Sequence, residues 1–268
     1  MHARGKISVL LILAGLGLLL YPPVSQAWNA HHQTKAVIVS EQQAESMDDV
    51  KRRKVLEDAH AYNNGLHEGR INPAEEEGKQ LYLDTLDVNN GLMDSISIPS
   101  IDVLIPVYHG TSEKVLQTGI GHLEGTSLPV GGKGTHCVLT GHSGLPGSRL
   151  FTDLEDVQEK DRFILETLGE KAVYEVDCIS VVLPQETDSL VIHGDQDECT
   201  LITCTPYGVN THRLLVHGIR IEEARDAAIV PAHGRRIPWI AIILLVLCSM
   251  TECCLVHRWL KRKNSLTG

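Results

Sequence analysis

From Ser95 onward the chain breaks into short runs rich in Val, Ile, Leu and Thr. They are SISIP (95–99), DVLIPVYHG (102–110), HCVLTG (136–141), RFILETL (162–168), AVYEVDCISVVLP (172–184), CTLITC (199–204) and HRLLVHGIRIE (212–222). Gly, Pro, Asp and Asn punctuate them, and β-branched residues favour the extended backbone, so the runs read as strands. Many short strands in one chain present many unpaired edges, and closing the sheet on itself removes them. The fold expected over residues 93–224 is therefore mainly β, a closed barrel. SEKVLQ (112–117) and LFTDLED (150–156) read as short helices within its connections.

Charge places this domain relative to a membrane. Arg4, Lys6, Arg235, Arg236, Arg258, Lys261, Arg262 and Lys263 sit at the two ends of the chain, whereas residues 29–234 hold 33 acidic against 16 basic residues. So acidic a region argues against nucleic acid as a partner. Ile7–Tyr21 is apolar and follows Arg4 and Lys6. Ser25 and Ala27 form a small-x-small pattern suited to signal cleavage, while extension of the apolar stretch to Trp28 reaches the length of an uncleaved anchor. Residues 1–28 are thus a signal peptide or an N-terminal anchor. Ile237–Val256 has the length of a transmembrane helix, with residues 225–236 as juxtamembrane linker and 257–268 as a basic cytoplasmic tail. Basic flanks on the inner side put residues 29–236 outside the cytoplasm, next to the lipid bilayer.

Residues 31–69 are polar with apolar positions at helical spacing and read as a helical arm. Residues 70–92 combine a proline break with a short amphipathic stretch, a loop and a helix. Within the domain, Cys137 and Cys178 read as small apolar packers. Cys199 and Cys204 form a C-x4-C pair, a weak zinc signal with no second pair to complete it.

Cys204 ends an apolar run, and TPYGVN (205–210) separates it from the next one. If the two pair as a hairpin, Arg213 falls opposite Cys204, and neighbouring strands lie about 4.8 Å apart. Alternation puts Thr200, Ile202 and Cys204 on one face. An arginine beside a thiol in a barrel wall is costly unless it has a carboxylate partner or a task. His142 stands just past the apolar HCVLT run, before a glycine-rich loop, whereas His136 begins that run and lies at its other end. His109, His122 and His193 flank glycines and read as loop residues. His212 faces away from Arg213, and His217 away from Leu214 and Val216. A strand-end cysteine, a strand-end histidine and an arginine are the components of a thiol acyl-transfer site.

These residues resemble a family. TLITC (200–204), THRLLV (211–216) and LTGHSGLP (139–146) are similar to the cysteine, arginine and histidine motifs of sortases, membrane-anchored cysteine transpeptidases of Gram-positive bacteria. YHGTS (108–112), GHLEGTSLPVG (121–131), LFTDL (150–154) and CTPYGVNTHR (204–213) resemble class C, the pilin-polymerising sortases. The likeness runs over roughly residues 60–222 and implies an eight-stranded barrel. It implies Cys204 as nucleophile, His142 as general acid/base and Arg213 as oxyanion or substrate stabiliser, with Thr140, Ser143, Thr203 and Thr205 lining the site. The implied reaction cleaves an LPxTG-like sorting signal between Thr and Gly and joins the acyl group to a lysine of another pilin subunit. It needs no cofactor and no metal. Class C sortases usually carry a lid with an Asp-Pro-aromatic motif, where this chain has Asn72-Pro73-Ala74, so the lid is expected to be weak, displaced or absent. Ser143 and His217 stand where arginine is common in relatives.

Two other readings stay open. A sortase that attaches surface proteins to peptidoglycan would share the thiol chemistry and differ in its acceptor amine. A membrane-tethered β-barrel binding module would have an inert Cys204, and Cys204→Ala would leave its function intact. A papain-like protease is disfavoured, because His142 precedes Cys204 and no papain-like cysteine motif stands near the N-terminus.

Overall fold

The computed structural model describes residues 2–221 apart from Asn89 and Pro146. The linker, C-terminal span and basic tail expected over 225–268 lie outside the described residues.

Helix α1 (His2–Ser46) joins the apolar N-terminal segment and the first part of the arm in one element, with Pro22 and Pro23 inside it. Its stretch from Leu10 is long and apolar enough to cross a membrane. Leu11, Leu18, Leu19 and Trp28 are exposed there, whereas Val37 and Ala44 further along are buried. The helix therefore changes role along its length, from an unpacked apolar rod to a strut against the barrel. Asn29 Nδ2 donates to the Gly147 carbonyl (2.7 Å), and Gln33 Nε2 donates to Ser148 Oγ (3.1 Å).

A new helix, α2 (Asp49–His67), begins where Asp48 accepts from the Val50 and Lys51 amides. Its buried face carries Leu56, Ala59, Tyr62 and Asn63. Asn63 clamps the connection ahead of the barrel wall in both directions: Nδ2 donates to the Leu128 carbonyl (3.0 Å), and Oδ1 accepts from the Leu128 amide (2.7 Å). Helix α3 (Glu76–Asp84) seats Tyr82 at 1% exposure. Burial of Tyr62 pushes its phenol up to about 12, and Tyr82 is raised further for the same reason.

The barrel strands are β1 (Leu92–Ile98), β2 (Val103–His109), β3 (Ile120–His122), β4 (Thr135–Thr140), β5 (Arg162–Thr167), β6 (Glu170–Val182), β7 (Asp197–Thr205) and β8 (His212–Arg220). They close in the order β1-β2-β3-β4-β7-β8-β6-β5, with β2–β3 and β4–β7 parallel and the other pairs antiparallel. Helix α4 (Glu113–Thr118), capped by Ser112, carries the crossover to β3, and a short 3-10 turn spans Thr152–Asp156. Both short helices thus fall where the sequence predicts them. Ile96, Val107, Leu139, Leu165, Leu201 and Val216 are fully buried in the interior. Each such side chain contributes about 1.5–3 kcal/mol on burial.

Three sequence expectations change here. Cys178 is exposed, not packed like the buried Cys137. The register of β6 against β8 shifts between Val176 and Cys178, and such an irregularity re-aims the side chains beyond it. His109 and His122 are not loop residues. They end β2 and β3, face each other across the parallel pair and are buried, with His122 Nδ1 3.0 Å from Tyr82 Oη and His109 Nε2 2.9 Å from the Thr85 carbonyl. Gly121 allows close backbone approach, since a Cβ there would stand 2.5 Å from the Gly110 carbonyl oxygen, and the imidazoles tie the α3 region to the barrel.

Candidate active site

Strand β7 pairs with β8 so that Cys204 lies opposite Arg213, with Thr203 opposite Leu214 and Thr205 opposite His212. The turn between them contains a cis Thr205–Pro206 bond. Alternation along β7 sends Cys199, Leu201 and Thr203 into the core and leaves Thr200, Ile202 and Cys204 on the outer face. Cys204 is half-buried and carries a free thiol. Arg213 is half-buried, and its Nη1 donates to the His212 carbonyl (3.0 Å). Among the described residues no carboxylate pairs with Arg213, which leaves the rest of its guanidinium for another acceptor.

His142 reaches this place through β4, the parallel neighbour of β7. Thr140 pairs with Ile202. Beyond the strand, the Gly141 amide donates to the Ile202 carbonyl (3.0 Å) and Thr203 Oγ1 donates to the Gly141 carbonyl (2.8 Å). These bonds fix the backbone next to His142 against the last residues of β7. Gly141 is demanded by space, because a Cβ there would stand 2.5 Å from Ile120 Cδ1 and 2.9 Å from Phe151 Cδ2. The His142 ring is partly exposed, and its Nε2 lies 3.7 Å from Glu113 Oε2 without a hydrogen bond. The Ser143 hydroxyl is buried and also unpartnered.

Strand register thus brings Cys204 and Arg213 together, and a backbone clasp fixes Gly141, the residue before His142, against the end of β7. Thr140 and Thr203 belong to that clasp, while Thr205 Oγ1 donates to Glu155 Oε1 (2.6 Å). Glu113 and Glu155 escaped the sequence reading. Glu113 has no signal beyond standing after a helix-capping serine, and Glu155 lies within the short helix expected over 150–156. The Tyr207 ring also closes on Gly144, where a Cβ would be 2.9 Å away.

Residues 70–77 turn mainly on themselves. Asn72 Nδ2 donates to Glu75 Oε1 (2.9 Å), and Asn72 Oδ1 accepts from the Ala74 amide (3.1 Å). Asn72 and Ala74 are exposed, and Pro73 packs beside Gly125 in the β3–β4 connection. Among the described residues no hydrogen bond or ion pair joins this segment to Cys204, His142 or Arg213.

A closed eight-stranded barrel with a cysteine, an arginine and a histidine gathered at adjacent strand ends has the layout of a thiol acyl-transfer enzyme. The sortase domain model matches residues 96–221. The crystal structure of sortase C1 from Streptococcus agalactiae is 44% identical, with a TM-score of 0.67, covering 70% of this chain and 98% of that one. Sortase C of Streptococcus pneumoniae is 37% identical, with a TM-score of 0.62, covering 70% of this chain and 96% of that one. Sortase A of Streptococcus agalactiae is 25% identical over 217 residues, covering 80% of this chain and 83% of the relative. The chain belongs to the sortase family, and the class C enzymes are among its structural neighbours.

Proposed function

We propose that the protein is a membrane-anchored pilin polymerase in which Cys204 is the nucleophile, His142 the general acid/base and Arg213 the oxyanion stabiliser. The observation that carries this reading is the β7–β8 register with Arg213 opposite Cys204. A free thiol titrates near 8.5 and reacts as the thiolate, which neighbouring positive charge favours.

In the first half-reaction the Cys204 thiolate adds to the carbonyl carbon of Thr in an LPxTG-like signal. The carbonyl oxygen takes up the negative charge, and the guanidinium of Arg213 stabilises it. Collapse breaks the Thr–Gly C–N bond while protonated His142 gives its proton to the departing glycine amine, leaving a thioester. In the second half-reaction a lysine amine on another pilin subunit adds to the thioester, neutral His142 accepts the amine proton, and the Cys204 thiolate departs. The product is an isopeptide bond.

The acceptor assignment draws support from the neighbours. Sortase C of Streptococcus pneumoniae is described in terms of pilin substrate specificity, and a sortase C1 of group B Streptococcus belongs to a pilus island. The apolar stretch of α1 supports attachment to a bilayer with the barrel on the extracellular face. Exposed Asn72 and Ala74, with no polar contact to the three site residues, favour an open site without a functional lid. The test is an assay with an LPETG-type peptide and a lysine-bearing pilin domain. Isopeptide product that disappears with Cys204→Ala supports the reading, whereas product formed only with a peptidoglycan amine redirects it to cell-wall attachment.

A further inference from the structure

His136 and Glu198 are the second residues of β4 and β7, at the ends of these strands remote from Cys204. The two residues are partners in the parallel pair and are 1% and 2% exposed. The segment 183–196 covers them, since the Val191 carbonyl lies 2.8 Å from His136 Nδ1. From that segment His193 brings its Nδ1 to 3.2 Å from Glu198 Oε2, and His136 Nδ1 stands 3.8 Å from the same oxygen. On β8, His217 places Nε2 3.3 Å from Glu198 Oε1 while its Nδ1 lies 2.6 Å from Asp177 Oδ1.

A buried carboxylate requires a compensating positive partner. Among the described residues no lysine or arginine forms an ion pair with Glu198, and its ion-pairing neighbours are three imidazoles. The tautomers sharpen the point. If His217 Nδ1–H donates to Asp177, a neutral ring turns the lone pair of Nε2 towards an oxygen of Glu198. Two acceptors then face each other unless a proton or a cation intervenes.

We propose that His136, His193 and Glu198 form a binding site for a divalent transition-metal ion of the zinc type, with His217 orienting the carboxylate. One ligand atom from each of the three lies within 4.8 Å of the others. Tetrahedral zinc with bonds of about 2.0–2.1 Å separates its ligands by about 3.3 Å, so only small side-chain movements are required. Two imidazoles and one carboxylate suit zinc, whereas calcium takes six to eight oxygen ligands. Coordination through His136 Nδ1 moves that ring's proton to Nε2, which then donates to Thr200 Oγ1 at 2.7 Å, and the Val191 carbonyl gives up its donor. The Asp177–His217–Glu198 chain has the form of an outer-shell relay that fixes a ligand.

His193 is the exposed member, with 51% of its side chain accessible, and it provides the entry path. It is also the only one of the three outside a strand, so the ion would fasten the segment 183–196 to the wall formed by β4 and β7. Cys137 and Cys199 point into the barrel and take no part.

The test uses the full chain, purified in detergent and stripped with a chelator. Zinc titration by calorimetry should give one ion per chain, and the ion should raise Tm. His193→Ala, at an exposed position, should weaken zinc by more than about tenfold and remove the zinc-dependent rise in Tm, and His217→Ala should weaken zinc by about tenfold. Cobalt substituted for zinc should give visible bands of nitrogen and oxygen ligands without thiolate charge transfer. Absence of stoichiometric uptake, zinc affinity unchanged by His193→Ala, or a thiolate-to-cobalt band would each overturn the proposal.

Discussion

Cys204 and Arg213 are directly opposed residues of an antiparallel pair, half-buried side by side on the outer face of the barrel. The pair costs little to keep there, because the guanidinium is partly solvated and, among the described residues, donates to the Asn210 and His212 carbonyls and to no carboxylate. Arg213→Lys should therefore leave Tm nearly unchanged. It should lower the rate of peptide cleavage by about 10²–10³, the scale for loss of an oxyanion donor, because an ammonium cannot reproduce the fork of the guanidinium. Steady-state kinetics checks this, and a loss confined to KM would point to substrate binding instead.

Asn63 predicts a stability effect far from the chemistry. Its amide satisfies both the amide and the carbonyl of fully buried Leu128. Asn63→Leu removes both partners and should destabilise the fold by about 2–4 kcal/mol in denaturant unfolding, since each orphaned buried group costs about 1–3 kcal/mol. An unchanged midpoint would mean that water replaces the clamp.

Asp94 gives a pH signature. Burial raises its folded-state pKa well above 3.8, and Oδ2 lacks a hydrogen-bond partner. The folded chain thus holds a proton that the unfolded chain releases, so this group's contribution is full below the unfolded pKa. It falls as pH rises through the folded value. Asp94→Asn should flatten that slope and raise Tm at neutral pH, while Oδ1 can still accept from the Ser95 amide. A lower Tm for the variant at pH 7 would show that the carboxylate is stabilised in place.

Asn72→Ser and Ala74→Gly test the open site. Both positions are exposed, so neither change should alter the rate of thioacyl formation by more than about twofold, the kinetic equivalent of ~0.5 kcal/mol. A tenfold rise would reveal a lid that closes over the site.

Particular residues show what was legible before the structure. Local chemistry marks the barrel, because β-branched runs and turn residues act over a few positions, and strict alternation fixes which residues share a face. The Cys204–Arg213 register follows from a hairpin whose turn is visible in TPYGVN. The exposure of Cys178 was illegible because one register shift within β6 re-aims it, and nothing nearby in sequence announces that shift. His109 and His122 look like loop residues until Tyr82 and Thr85 arrive from the α3 region to bond them. The cluster around Glu198 draws its imidazoles from β4, the β6–β7 connection and β8, so it forms only once β7 lies between β4 and β8. Glu113 meets His142 by the same route, from a crossover helix with no motif of its own.

The proposed reaction requires Cys204 to form a thioester with a sorting signal. Intact-mass spectrometry of the full chain in detergent, incubated with an LPETG-type peptide, reads it directly. A mass increase equal to the acyl fragment ending at Thr is expected, mapped to Cys204 and absent from Cys204→Ala. An adduct that persists in Cys204→Ala would contradict it, as would a chain that stays unmodified with each of a panel of LPxTG-like peptides.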